Sequence, residues 1–211
     1  MSSYGFLKAL FKYPMRLLYR VKVEGRENEP DTPYLVCANH SSFCDPILIT
    51  ATLKQKHKWL AKKQLKDHAF MRLVFRITGA VTIDREGLDT TALHACIDAL
   101  KAGTSVGIFP QGTRMPGVVP QKDQALPGFS LIACMAQATV LPVSIVTKSL
   151  RPRLFRRTRL IIHKPVPYEE YTAISEKPTK PEISYFLFDK VCEPFGAAKA
   201  EQTAPRSENE E

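Results

Sequence analysis

The stretch Tyr34-Leu35-Val36-Cys37-Ala38-Asn39-His40-Ser41-Ser42-Phe43-Cys44-Asp45-Pro46 passes directly from a compact apolar run into a polar block and then into a proline. The apolar run Tyr34 to Ala38 reads as a compact apolar β-strand, and Pro46 to Leu53 begins a helix behind it. A strand end of this kind, in an open α/β sheet, is where ligand sites collect. Five residues separate His40 from Asp45, so a chain turning into a helix brings the carboxylate back to the imidazole. Such a carboxylate fixes the ring tautomer through one nitrogen and leaves the other to take a proton from a hydroxyl. The same residues have a plainer reading, with Asp45 as an N-cap before a good first helical residue and His40 as a lone histidine.

Outward from this stretch, strand-like and helix-like runs alternate. Val21 to Gly25 reads as a short strand ending in a turn, and Gly79 to Ile83 as a strand. Thr90 to Lys101 has helical periodicity closed by Gly103, and Ser105 to Phe109 is again a buried strand. Phe129 to Gln137 reads as a helix, with strands at Val140 to Val146 and Arg159 to His163. The alternation predicts a single α/β domain over 21–195 with a largely parallel central sheet flanked by helices.

A chain of 211 residues, 44% hydrophobic, supports one sizeable core. Its formal charge of +9 attracts anionic lipid, phosphorylated substrates or nucleic acid without choosing among them. Cys37, Cys44, Cys96, Cys134 and Cys192 lie mostly in apolar runs and show neither a C-x-x-C pair nor a zinc-like spacing. They read as buried thiols in a reducing compartment. Past Pro194 the composition turns to Gly, Ala, Lys, Glu, Gln and Ser, which predicts a disordered tail over 196–211.

Two further strand ends carry charge. Gly79-Ala80-Val81-Thr82-Ile83-Asp84-Arg85 closes on an arginine, and Phe109-Pro110-Gln111-Gly112-Thr113-Arg114 ends in a turn with a glycine, a hydroxyl and a guanidinium. Arg85 and Arg114 can converge on one phosphate dianion, or each can be a solvated surface charge.

Together these segments resemble the glycerolipid acyltransferase family that includes the 1-acylglycerol-3-phosphate acyltransferases. Asn39 to Pro46 is similar to the family's H-x4-D block, Gly79 to Arg85 to its second block, Phe109 to Arg114 to its third, and Val140-Leu141-Pro142-Val143 to its fourth. Leu60-Ala61-Lys62-Lys63-Gln64-Leu65 is similar to the stretch that commonly precedes the second block. The likeness spans roughly Val21 to Pro167, and four blocks in order are far more specific than one.

The resemblance implies that His40 is the general base and Asp45 its orienting partner, with Arg85, Gly112, Thr113 and Arg114 forming the phosphate site. Asn39 and Gln111 would support them. It implies direct attack of a lysophosphatidic acid hydroxyl on the thioester of acyl-CoA or acyl-carrier protein, with no covalent enzyme intermediate, metal or cofactor. Glycerol 3-phosphate or another lysophospholipid as acceptor, and a non-catalytic lipid-binding protein, are the alternatives. Two features depart from the family pattern. Gln111 stands where glutamate is usual, and Leu126-Pro127 precedes Gly128 where a basic residue is common.

Two segments suggest contact with an anionic membrane surface. Residues 1–20 place Lys8, Lys12, Arg16 and Arg20 four apart among Phe6, Leu7, Leu10, Phe11, Leu17 and Leu18, with Pro14 inside the run. This amphipathic helix either packs on its own domain or lies in a membrane interface. Its apolar stretch is too interrupted to span a bilayer, so no segment is expected to cross one. Lys148 to Arg159 sets six basic residues around Leu150, Leu154 and Phe155 with no acid, as a solvated hairpin loop or a lipid-docking loop. No nucleic-acid motif or aromatic stacking platform is present, and nucleic acid is not an expected partner. Monotopic binding to the cytoplasmic face of a membrane is the expected location.

Overall fold

The computed structural model describes residues 13–62, 81–83 and 90–203. Seven strands form one sheet: β1 Val21–Glu24, β2 Leu35–Ala38, β3 His57–Lys62, β4 Val81–Ile83, β5 Ser105–Ile108, β6 Val140–Val146 and β7 Thr158–Ile162. Their spatial order is β1-β7-β6-β2-β5-β3-β4. Every neighbouring pair is parallel except β6 and β7, which form an antiparallel hairpin with Val143 opposite Ile162. The largely parallel α/β domain expected from the alternation is therefore the fold.

β2 lies at the middle of the sheet, with Leu35 opposite Val106 of β5 on one side and Val140 of β6 on the other. Its residues alternate between two cores, as the two-residue period of a strand requires. Leu35 and Cys37 join Val106, Ile108, Phe129, Ile132, Leu187 and Phe188. Tyr34, Val36 and Ala38 join Leu48, Ile49, Trp59, Leu141 and Val143, with Met15 and Tyr19 packed at the margin. Both faces are covered, which is why β2 reads as an unbroken apolar run.

Among the described residues after β2, five helices flank the sheet: α1 Asp45–Thr52, α2 Thr90–Lys101, α3 Pro127–Ala136, α4 Tyr168–Thr172 and α5 Lys180–Thr203. α2 ends as expected, with Gly103 at φ 81 and its N–H bonded to the carbonyl of Leu100. Asp45 is the first residue of α1, with Cys44 at the N-cap, so the plainer reading of Asp45 as an N-cap does not hold. The carboxylate turns back to other donors, described below.

β3, α4 and α5 lie outside the elements expected from the sequence. α5 begins with a reciprocal cap: Thr179 N–H donates to Glu182 Oε2 at 2.7 Å, and Glu182 N–H to Thr179 Oγ1 at 3.4 Å. Ile183, Leu187 and Val191, four apart, bury its inner face. The helix passes Pro194 and runs to Thr203, beyond the boundary that the composition suggested for a disordered tail. Ala197, Ala198, Lys199, Ala200, Glu201 and Gln202 are good helix formers, which accounts for the continuation.

Of the expected N-terminal amphipathic helix, residues 13–18 are helical. Lys8 and Lys12 lie outside the described residues. Among the described residues no helix is long and apolar enough to cross a membrane. The five cysteines are all free; Cys37, Cys44 and Cys96 are buried, while Cys134 and Cys192 are only partly so.

Candidate active site

Because β2, β5 and β6 run in parallel, the segments after them emerge along one edge of the sheet. Asn39 fixes where β2 leaves its neighbours. Its amide Nδ2 donates to the carbonyl of Ile145 at 3.1 Å, and its Oδ1 accepts the Ile145 N–H at 2.8 Å. The side chain thus continues the ladder to β6 in place of backbone, and His40 stands just beyond the sheet.

Three groups then hold His40. Its N–H donates to Gln111 Oε1 at 2.8 Å, and its carbonyl accepts the Met115 N–H at 2.8 Å. Its ring stacks on Phe109 at 4.0 Å between centroids and 12° between planes. Phe109 in turn stacks on Trp59 at 5.1 Å, and Trp59 Nε1 donates to Thr50 Oγ1 at 2.9 Å. One ring face is therefore occupied by a stack that reaches from the site into the core.

Asp45 Oδ2 lies 2.9 Å from His40 Nδ1 and accepts the backbone N–H groups of Ser41 at 2.6 Å and Ser42 at 2.7 Å. The Asp45 side chain is 0% exposed and that of His40 is 18% exposed. A buried carboxylate oxygen with two N–H donors must accept from the ring, so Nδ1 carries its proton and the Nε2 lone pair is the basic one. At the first position of α1 the carboxylate also faces the positive end of a helix dipole.

Gln111 is buried, and besides accepting from His40 its Nε2 donates to Gln124 Oε1 at 2.7 Å and to Met115 Sδ at 3.1 Å. Gly112, at φ 67, gives its N–H to the carbonyl of Phe109 and turns the chain after β5. Thr113 and Arg114 follow on the surface. The Arg114 guanidinium lies 3.4 Å above the ring of Phe43, itself a member of the His40 segment.

The structure thus brings Asn39, His40, Asp45, Gln111 and the turn at Gly112 together, with Thr113 and Arg114 at the rim. Arg85 lies outside the described residues. Trp59, Gln124 and Tyr19 were not among the expected site residues. Burial, then the Cys44 thiol and the Asp45 carboxylate, push the Tyr19 phenol up to about 12, and Tyr19 packs against the core cluster that contains Cys44. No motif marks Tyr19; only the fold brings it there.

A family model described as Acyltransferase matches residues 20–146. The 1-acyl-sn-glycerol-3-phosphate acyltransferase of Bacillus subtilis is 30% identical over 178 residues, covering 82% of this chain and 87% of that protein. The chloroplastic 1-acyl-sn-glycerol-3-phosphate acyltransferase LPAT1 of Arabidopsis thaliana is 29% identical over 163 residues, which are 70% of this chain but 44% of that longer protein. The crystal structure of the 1-acyl-sn-glycerophosphate (LPA) acyltransferase PlsC from Thermotoga maritima superposes with a TM-score of 0.69 at 27% identity, covering 93% of this chain and 81% of that one. With that family match over residues 20–146 and a relative 30% identical over most of both chains, the chain belongs to the acyltransferase family.

Proposed function

We propose that this acyltransferase moves a fatty acyl group from a thioester, acyl-CoA or acyl-carrier protein, to the sn-2 hydroxyl of 1-acyl-glycerol-3-phosphate. The observation that carries the chemistry is the buried Asp45 carboxylate set against Nδ1 of the partly exposed His40. His40 Nε2 takes the acceptor's hydroxyl proton as the oxygen attacks the thioester carbonyl carbon. The new C–O bond forms, the C–S bond breaks, and the proton held by His40 is available to the departing thiolate. Asp45 keeps the ring in the correct tautomer and stabilises the transient imidazolium.

The names of the relatives supply the acceptor class. Arg114, with Arg85, Gly112 and Thr113, is assigned to the acceptor phosphate on the strength of the family resemblance and of its place beside Phe43. A second acceptor is favoured by one residue. Gln111 stands where the family pattern carries glutamate, a change at the turn leading to Arg114 that keeps glycerol 3-phosphate as the second acceptor to test.

The test is thiol release from a long-chain acyl-CoA with each acceptor, repeated with acyl-carrier protein as donor and with His40→Ala. Acceptor-dependent release that disappears in the variant supports the reading. Release that survives His40→Ala refutes the base assignment, and failure with every donor and acceptor favours a lipid-binding protein without catalysis.

A further inference from the structure

We propose that the loop joining β6 to β7, residues 147–157, is a docking element for an anionic bilayer. This goes beyond the acyl transfer assigned above and requires none of its steps.

The loop carries Lys148, Arg151, Arg153, Arg156 and Arg157, all exposed, with no acid among them. Leu154 and Phe155 sit between Arg153 and Arg156 and are 53% and 67% exposed. A hairpin loop that met only water would gain nothing from presenting these two apolar side chains. In a bilayer they enter the headgroup and acyl boundary while the flanking cations lie on lipid phosphates.

The backbone shows that this presentation is built. Phe155 has φ 61 and Leu150 φ 52, a left-handed conformation that bulky residues rarely adopt and that glycine or asparagine would take more easily. Packing of the Phe155 ring cannot be the reason, since most of it is exposed. Hydrogen bonds hold the turn instead. Phe155 N–H donates to the carbonyl of Leu18 at 2.6 Å, Leu150 N–H to that of Thr147 at 3.1 Å, and Arg156 N–H to that of Arg153 at 3.2 Å.

The same bonds seat the loop on two neighbours. Leu18 belongs to the N-terminal helical segment, whose Leu17 is 78% exposed. Gly117 N–H donates to the carbonyl of Leu150 at 3.3 Å, and two residues earlier Met115 N–H is bonded to the carbonyl of His40. The loop, the N-terminal segment and the turn carrying Arg114 are therefore one connected surface at the His40 edge of the sheet. A nucleic acid would also meet the cations, but Leu154 has no role against a polyphosphate, and one tip ring is not a stacking platform.

The full chain is sedimented with vesicles of phosphatidylcholine alone and of phosphatidylcholine and phosphatidylglycerol in equal amounts. The parent and His40→Ala are expected to bind the anionic vesicles alike and the neutral ones weakly. The double variant Leu154→Ser with Phe155→Ser, and the triple variant Arg153→Gln with Arg156→Gln and Arg157→Gln, are each expected to bind at least about tenfold more weakly. Both variants should keep the parent's melting temperature within about 2 °C, since the replaced side chains are exposed. Undiminished vesicle binding by folded loop variants overturns the proposal. So does parent binding to a nucleic-acid oligomer but not to anionic vesicles, or a Leu17→Ser variant that alone abolishes binding while the loop variants retain it.

Discussion

Asp45 Oδ2 is the shared acceptor of three donors: His40 Nδ1 at 2.9 Å and the N–H groups of Ser41 and Ser42. The arrangement holds the carboxylate from the side of the backbone, so its position does not depend on the histidine it orients. Asp45→Asn retains an acceptor oxygen for the serine N–H groups but removes the charge that stabilises an imidazolium. Turnover is expected to fall about a hundred- to ten-thousandfold. The acceptor KM should change little, because Asp45 is fully buried and out of reach of substrate. Steady-state thiol release checks this, and near-parental turnover would remove Asp45 from the mechanism.

Gly107 and Trp59 supply a second test. A Cβ at position 107 would stand 2.5 Å from Trp59 Cε3 and 2.6 Å from Cζ3, closer than such atoms ever approach. Trp59 must then move, and the stack through Phe109 to His40 moves with it. Gly107→Ala is expected to cost about 1–3 kcal/mol of stability, and to lower activity through the displaced imidazole. Trp59 is the chain's single tryptophan, so its fluorescence reports the displacement directly. An unaltered emission spectrum with full activity would show that the stack does not position His40.

The Gln111 amide joins His40 N–H, Gln124 and Met115 in one network. Gln111→Leu leaves the His40 N–H without that acceptor, at a cost of about 1–3 kcal/mol. Gln111→Glu keeps the acceptor but sets a second oxygen against Gln124 Oε1, so Gln124 must turn its amide and give up the Gln121 N–H that it now accepts at 3.3 Å. The glutamate variant is expected to fall between the parent and the leucine variant in melting temperature. A shift in preference between lysophosphatidic acid and glycerol 3-phosphate in the glutamate variant would identify Gln111 as a residue that sets acceptor choice. Unchanged preference would confine it to positioning.

The central sheet and the dyad were legible because their signals are local. Tyr34 to Ala38 is apolar throughout because both faces of β2 are buried, and His40 and Asp45 are brought together by a turn of five residues. α5 was harder to read because Pro178 stands just before it and Pro181 and Pro194 lie within it, while Tyr185 and Phe186 blur the stripe of Ile183, Leu187 and Val191. Both early prolines are compatible with a helix start, which hydropathy alone does not reveal. The support behind His40 was hidden for a different reason. Trp59 lies far from it in sequence, and only the pairing of β3 with β5 carries it there.

At the far edge of the sheet, Arg159 of β7 holds Glu24 of β1 through Nε at 3.1 Å and Nη2 at 2.9 Å. The Arg159 hydrogen bonds, with Lys22 assisting, lower the Glu24 carboxyl from its ordinary 4.5 to about 2. A depressed carboxyl means that the unfolded chain takes up the proton first as the pH falls. The pair's contribution is therefore complete above about 4.5 and is lost by about 2. Glu24 is 29% and Arg159 44% exposed, so solvent screening keeps the contribution to about 1 kcal/mol. Glu24→Gln is accordingly expected to melt a few degrees below the parent at neutral pH, with the gap closing as the pH falls through that window and narrowing in high salt. Melting curves at several pH values check it. A gap that persisted at the acid end would mean that Glu24 stabilises the β1–β7 edge by packing, with the ion pair incidental.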